Sequence, residues 1–212
     1  MTPEEFIRRQ TVLSPPPLVP EITLHLATEV TPLWRATQAR LHDLNLPPPY
    51  WAFAWPGGQA LARHLLDHPG LVAGQRVLDF ASGSGLVAIA AARAGAAQVT
   101  AADIDPFAAA AIALNARING VNPTISTSDA IDRPGQWDAV LAGDICYERP
   151  MTQRAIPWLR GLADRGIAVL LVDPGRAYLP ADGLTELARY RVPTSLELED
   201  SRVRETVIWR LE

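Results

Sequence analysis

Val77-Leu78-Asp79-Phe80-Ala81-Ser82-Gly83-Ser84-Gly85 runs from an apolar strand into a glycine cluster, and an alanine-rich stretch, Leu86 to Ala94, follows it. The spacing predicts a strand over Arg76 to Phe80, a tight turn, and a helix over Leu86 to Ala94. Glycines at such a junction let the backbone turn sharply and let a ligand approach it closely. The free amides at the start of the helix suit an anionic or polar group. The next predicted strand, Gln98 to Ala102, ends in Asp103-Ile104-Asp105. A carboxylate at Asp103 can accept both hydroxyls of a ribose, and Ile104 stands beside it in the same pocket.

Two ligand classes fit these features. Gly83-Ser84-Gly85-Leu86-Val87-Ala88 satisfies the relaxed dinucleotide pattern, which would make the chain a nicotinamide dehydrogenase. Asp79 separates the two. A carboxylate directly before the glycine turn repels a pyrophosphate and welcomes an ammonium group, such as that of the methionine moiety of S-adenosylmethionine. Asp79, Ser82, Gly83, Gly85, Asp103 and Ile104 are therefore the core of a candidate cofactor site. Ser128 and Asp129, after the third strand of the series, are placed beside the adenine by the same logic.

Outward from this turn, the rhythm is that of a parallel sheet covered on both faces. Helices are predicted at Gly58 to Leu66, Pro106 to Asn119, Met151 to Leu162 and Gly183 to Tyr190. Strands are predicted at Thr124 to Thr127, Trp137 to Ala142 and Ile167 to Val172, and a closing hairpin at Val192 to Glu197 and Glu205 to Leu211. Asp105 can cap the helix that begins at Pro106, and Gly120 can end it. Residues 1–56 read as an N-terminal cap on a domain spanning 57–212. Proline runs at 15–17 and 47–49 block regular structure there, apart from a short strand over Glu21 to Ala27 and a helix over Thr31 to Leu41.

A second constellation is Gly143-Asp144-Ile145-Cys146-Tyr147, at the carboxyl end of a predicted strand, where ligands lie in open α/β sheets. An acid and a phenol there can hydrogen-bond an incoming amine and aim its lone pair at a reactive carbon, so Asp144 and Tyr147 are the catalytic candidates. In Trp51-Ala52-Phe53-Ala54-Trp55-Pro56-Gly57-Gly58, Trp55 and Gly57 are the pocket candidates, with Trp51 and Phe53 read as core or lid. The histidines show no metal-ligand spacing, and the pair His64 and His68 reads as a solvated helix face.

The bulk properties bound the rest. The chain has 212 residues, 48% hydrophobic and 20% charged, with a formal net charge of −4. It is long enough to bury a core without staples. The negative balance disfavours a partner that is tracked along its phosphates. Cys146 is the single cysteine, so no intrachain disulfide and no cysteine-rich zinc site can form. No stretch is long enough to span a bilayer, and the N-terminus reads as neither a signal nor a transit peptide, so the cytoplasm and a monomer are the expectations. All 19 basic residues are arginine. With alanine and proline abundant, this reads as a GC-rich genome. A second reading is an enzyme on lysine that offers none of its own.

The chain resembles the lysine methyltransferases that act on the beta subunit of electron transfer flavoprotein, within the seven-strand methyltransferases that carry a D-x-x-Y signature. The resemblance rests on Thr31-Pro32-Leu33-Trp34, Tyr50-Trp51-Ala52, Trp55 to Leu61, Val77 to Gly85 and Asp103 to Pro106. It continues through Gly143-Asp144 with Tyr147, Asp173-Pro174-Gly175-Arg176 and Thr206-Val207-Ile208-Trp209. It implies an α/β, Rossmann-like sheet of order 3-2-1-4-5-7-6 with the last strand antiparallel. It also implies S-adenosylmethionine as cofactor, lysine amines of the flavoprotein as acceptors and, without a mitochondrial targeting segment, a bacterial member. A small-molecule N-methyltransferase shares every feature of the fold. A base methyltransferase is disfavoured because Asp144-Ile145-Cys146-Tyr147 lacks the prolines of an Asn/Asp-Pro-Pro-aromatic loop. A nucleoside-binding module without turnover is the remaining rival.

Overall fold

A computed structural model describes residues 1–28, 48–131, 133, 135–196 and 198–212. In chain order its regular elements are α1 (Pro3–Gln10), β1 (Val12–Ser14), β2 (Leu24–Leu26), α2 (Pro56–Asp67), β3 (Arg76–Phe80), α3 (Leu86–Arg93), β4 (Gln98–Ala102) and α4 (Pro106–Ile118). Then come β5 (Thr124–Ser126), β6 (Ala139–Gly143), α5 (Arg149–Ala163), β7 (Ala168–Asp173), β8 (Leu184–Pro193) and β9 (Val203–Leu211). A seven-stranded sheet has the order β5-β4-β3-β6-β7-β9-β8. Strands β5 through β7 are parallel, and β9 runs against both β7 and β8. Counted from β3 as the first strand, this is the expected 3-2-1-4-5-7-6.

The strands read as apolar runs because both faces are buried. Val77, Leu141, Val172 and Ile208 face a layer built with Leu61, Leu65, Val87, Ile89 and Ile112. Leu78, Phe80, Val140, Ala142 and Leu171 face the opposite layer, where α5 contributes Ala155, Leu159 and Leu162. The alternation along β3 and β6 is the two-residue period of a strand. Parallel pairing of β3 with β4 on one side and β6 on the other brings their carboxyl ends side by side.

The predicted helix over Gly183 to Tyr190 is instead most of β8. Leu184, Leu187 and Ala188 have helical spacing, and the segment is rich in helix formers. Propensity is a weak prior, however, and pairing decides. Strand β9 offers a full-length antiparallel edge, and a register shift between Glu186 and Ala188 absorbs the misfit. The terminal hairpin stands, but its first strand ends at Pro193 and shares only Val192 and Pro193 with the expected Val192 to Glu197.

The N-terminal region is more ordered than its prolines suggest. Helix α1 begins in a capping box, with Thr2 accepting from the Glu5 amide and Glu5 accepting from the Thr2 amide. Its Ile7 is buried with Trp51, Ala108, Ala111 and Leu114. Strands β1 and β2 form a hairpin of their own, outside the main sheet. The predicted helix over Thr31 to Leu41 lies outside the described residues. Three amide side chains tie the region down. Gln59 accepts from the Leu18 amide at 3.1 Å, Asn119 both accepts from and donates to Thr23, and Asn115 accepts from the His25 amide at 2.8 Å. Asn115, fully buried, also donates to the Ser84 carbonyl at 2.8 Å, so one residue of α4 joins β2 to the glycine turn.

His64 and His68 are not a solvated face. His64 is buried, with Nδ1 3.0 Å from the Tyr190 hydroxyl, and only His68 is exposed. The Leu61 and Leu65 face of α2 turns inward and carries His64 with it.

Candidate active site

The glycine turn after β3 is built as expected. Gly83 and Gly85 have φ of 54° and 81°, a region that favours glycine. Asp79 is 2% exposed, and its Oδ2 accepts from the Ser82 hydroxyl and from the Ala88 amide at 3.0 Å. Burial pushes its carboxyl up to about 7, against the hydrogen bonds from Ser82 and Ala88. One oxygen of Asp79 is thus engaged in holding the turn and the first turn of α3, a role the sequence reading did not give it.

Asp103 is half-buried at the end of β4. Its Oδ2 accepts from the Gly83 amide at 2.9 Å and its Oδ1 from the Asp105 amide at 3.0 Å. Each oxygen keeps a lone pair for a further donor. Burial raises this carboxyl too, opposed by those two amides. Ile104, beside it, is 72% exposed, an apolar side chain with no protein cover. A loop carboxylate with spare acceptor capacity, an uncovered isoleucine and a glycine turn suit a nucleoside. Ser128 is exposed, and Asp129 is engaged by Arg154 at 2.6 Å and by the Ile131 amide.

At the end of β6 the chain bends at Asp144, whose φ is 54°; Ala81, after β3, has φ 55°. Two non-glycine residues in the left-handed region at neighbouring strand ends mark local strain of the kind that collects at functional sites. The Asp144 amide donates to the Val172 carbonyl at 2.9 Å, and the Asp144 Oδ2 accepts from the Gly58 amide at 3.0 Å. Its Oδ1 is buried and has no hydrogen-bond partner. Burial pushes this carboxyl up to about 7, countered first by Arg176. Gly57 is required here by space. A Cβ on it would lie 2.5 Å from the Asp144 Oδ2.

Tyr147 is 39% exposed, and its ring centroid is 5.1 Å from that of Tyr50. Burial pushes its phenol up, which keeps the hydroxyl neutral. Trp55 packs edge-on to both Tyr50 and Phe53 and donates from Nε1 to the Tyr50 carbonyl at 2.9 Å. The candidates Trp55, Gly57, Asp144 and Tyr147 therefore share one neighbourhood, walled by aromatic rings. Trp51 is core, stacked on Phe107. Burial pushes the Cys146 thiol up to about 12, which leaves it unreactive.

Two residues of this neighbourhood had no assigned role. Arg176 lies over the Trp55 ring, 5.8 Å from its centroid. Its guanidinium is held by Glu199, with Nη2 to Oε1 at 2.5 Å and Nη1 to Oε2 at 3.3 Å. The rule that strand ends carry function would have found Arg176, which closes Asp173-Pro174-Gly175-Arg176 after β7. Nothing local marks Glu199, which the β8–β9 connection delivers from a distance.

A family model described as ribosomal protein L11 methyltransferase (PrmA) matches residues 61–146. The electron transfer flavoprotein beta subunit lysine methyltransferase of Xenopus laevis is 38% identical over 217 residues, covering 99% of this chain and 87% of the relative. The human protein of that name is 37% identical, covering 96% of this chain and 80% of the relative. Among solved structures, magnesium protoporphyrin IX methyltransferase from Synechocystis PCC 6803 with bound SAM superposes with a TM-score of 0.53. That match is 18% identical and covers 85% of this chain and 95% of that one, which speaks for the fold alone. Identity above one third, sustained along nearly the whole chain and most of each relative, decides the matter: this chain belongs to the electron transfer flavoprotein beta subunit lysine methyltransferase family.

Proposed function

We propose that the protein transfers methyl groups from S-adenosylmethionine to lysine amines of the beta subunit of electron transfer flavoprotein. The observation that carries this reading is the free oxygen of Asp144. It is buried without a hydrogen-bond partner beside the aromatic walls, at the strand end next to the glycine turn. The fold and the glycine turn alone would serve a small-molecule N-methyltransferase equally well, and the relatives' names favour the protein substrate.

The cofactor would be held by the turn Ser82-Gly83-Ser84-Gly85, with Asp103 on the ribose hydroxyls and Ile104 against the adenine. Ser128 and Asp129 form the far rim, and Trp55 and Gly57 the near one. When bound, it supplies a methyl group already activated on sulfur. Asp79 shapes the turn, and an approaching ammonium group favours its ionised form. Asp144 receives the substrate ammonium at Oδ1, and Tyr147 with Tyr50 narrows the channel. A lysine with a pKa of about 10.4 is neutral in roughly one molecule per few thousand at neutral pH, so the ammonium bound at Asp144 must release its proton to water before its nitrogen attacks the methyl carbon.

The test is intact mass of purified flavoprotein beta subunit after incubation with enzyme and S-adenosylmethionine. Steps of one methyl mass are expected. Methylation of free amines in preference to the flavoprotein would move the reading to a small-molecule enzyme. Asp79→Ala should weaken cofactor binding about tenfold or more by calorimetry, the loss expected of one buried charged hydrogen-bond centre. Unchanged affinity would remove Asp79 from the site.

We assign residues 1–56 as the cap and 57–212 as the catalytic domain, supported by the Gln59, Asn115 and Asn119 ties. Among the described residues no helix is long and apolar enough to cross a membrane. A monomer in a bacterial cytoplasm, without a nucleic-acid partner, is the accompanying proposal. It rests on the net charge of −4 and the all-arginine composition. Light scattering at the dimer mass would sink the monomer.

A further inference from the structure

Three carboxylates, Asp144, Asp173 and Glu199, surround Arg176, and a second guanidinium, Arg204, meets Glu199 with Nε at 3.1 Å from Oε2 and the exposed Asp200 with Nη1 at 3.3 Å from Oδ1. Asp173 is 1% exposed and Glu199 5%. The Asp173 Oδ1 accepts the amides of Gly175 and Arg176 at 2.7 and 2.5 Å, which fixes the turn that presents Arg176. The fork of Arg176 is turned toward Glu199. Its Nη2 stops 3.8 Å from the Asp144 Oδ1, beyond hydrogen-bond reach. That Oδ1, the Asp173 Oδ2 and the Arg176 Nε are all buried without hydrogen-bond partners, and of the two oxygens the Asp144 one stands beside the aromatic walls, at the strand end next to the glycine turn. Arg176 faces three acids, and Arg204 is shared between Glu199 and Asp200, so the buried acids outnumber the cations that face them.

We propose that Arg176, drawn back by Glu199, is a positioning residue for the acceptor amine: it keeps Asp144 ionised from a distance and leaves its Oδ1 free for the substrate ammonium, which completes the charge balance. This rests on the lysine-methyltransferase reading above. The groups facing Asp144 are the Gly58 amide from α2, Asp173 and Arg176 from the turn after β7, the Cys146 thiol, and Glu199 from the β8–β9 connection. Arg176 is the cation among these. Without it, a buried Asp144 beside two other acids takes up a proton and ceases to attract a cation. Closer in, at bonding distance, Arg176 would occupy the oxygen that the amine needs. Glu199 and the Trp55 ring hold it between these two failures.

Two substitutions therefore push Asp144 in opposite directions. Arg176→Gln should raise the pH at which the Asp144 carboxyl titrates by about one unit or more. Glu199→Gln should release Arg176 onto Asp144, lower that pH by a similar amount, and raise KM for the protein substrate with kcat little changed. Arg176→Lys keeps the charge and should stay within roughly half a unit of wild type. The readout is carbon-13 NMR of aspartate-labelled protein, with the Asp144 resonance assigned through Asp144→Asn, alongside the pH profile of kcat/KM. A purely structural role predicts lower rates at every pH with no opposed shifts, and an Asp144 titration equal in all variants overturns the proposal. If Arg176→Gln does not fold, Glu199→Gln and Arg176→Lys still decide it through the predicted difference between them. Absence of transfer by the wild-type enzyme overturns the acceptor reading and this role together, whereas transfer with unmoved titrations overturns this role alone.

Discussion

Asp144→Asn is expected to reduce methyl transfer at least ~100-fold, the scale of losing one positioned electrostatic contact, while cofactor affinity stays near wild type. The substitution is nearly isosteric. An asparagine oxygen can still accept from the Gly58 amide, so the approach of α2 to β6 survives. What disappears is the negative charge at a buried oxygen that accepts no hydrogen bond. Stability should move the other way. Burial raises the folded-state carboxyl to about 7, against about 3.9 in the unfolded chain. Between those values the folded state holds a proton that the unfolded state has released, so this group's contribution falls as pH rises through the window. The asparagine carries no such penalty. Its melting temperature should therefore exceed that of wild type at pH ~8 and approach it toward pH ~5, as followed by calorimetry. Loss of turnover with a gain in alkaline stability cannot come from misfolding. Wild-type turnover in the variant would remove Asp144 from the chemistry.

The contrast between what the sequence announced and what it concealed follows sequence distance. Asp79, Gly83 and Gly85 were legible because strand, turn and helix lie within one contiguous stretch, and the physics of each is local. Asp103 and Asp144 were legible because parallel sheets place ligands at strand ends, so position along the chain stands in for position in space. Even the strand order needed only the resemblance and the βα rhythm. Glu199 was invisible because it reaches Arg176 only after β9 has paired between β7 and β8. The same pairing turned a helix-prone segment at Leu184 into a strand. Asn115 was hidden in an alanine-rich helix, where a polar residue near the end, two before Arg117, looks like a surface position. In the fold it is fully buried and bridges β2 to the glycine turn. The carboxylate of Asp79 was aimed from sequence at an ammonium group; the fold engages one of its oxygens with Ser82 and Ala88.

Gly57→Ala is expected to cost about as much activity as Asp144→Asn, and for a steric reason that sequence alone cannot supply. A methyl group at Gly57 would lie 2.5 Å from the Asp144 Oδ2, 2.8 Å from its Cγ and 3.0 Å from its backbone nitrogen. The side-chain atoms could swing away, but the nitrogen is fixed by its hydrogen bond to the Val172 carbonyl. Nor can α2 retreat easily, because its buried face carries Leu61 and Leu65 into the core. A Cβ on Gly143 would press back on Gly58 from the other side, 3.3 Å from its nitrogen. Helix and strand therefore meet through two glycines, and that contact sets where the Asp144 carboxylate lies. Overpacking of this kind costs about 1–3 kcal/mol, a fall of roughly 2–12 °C in melting temperature for a chain of this size. A carboxylate displaced by about 1 Å loses on the order of 100-fold in turnover. Gly58→Ala is the matched comparison. Its Cβ would have only the Leu86 side chain near it, at 4.0 Å, and the amide that holds Asp144 is retained, so the loss should be far smaller. Initial rates and melting curves for the two alanines, measured side by side, separate helix propensity, which both change alike, from the steric wall, which only the first meets. Equal activity in the two variants would mean that the Gly58–Asp144 contact is not the working arrangement, and the placement of the acceptor amine at Asp144 would fall with it.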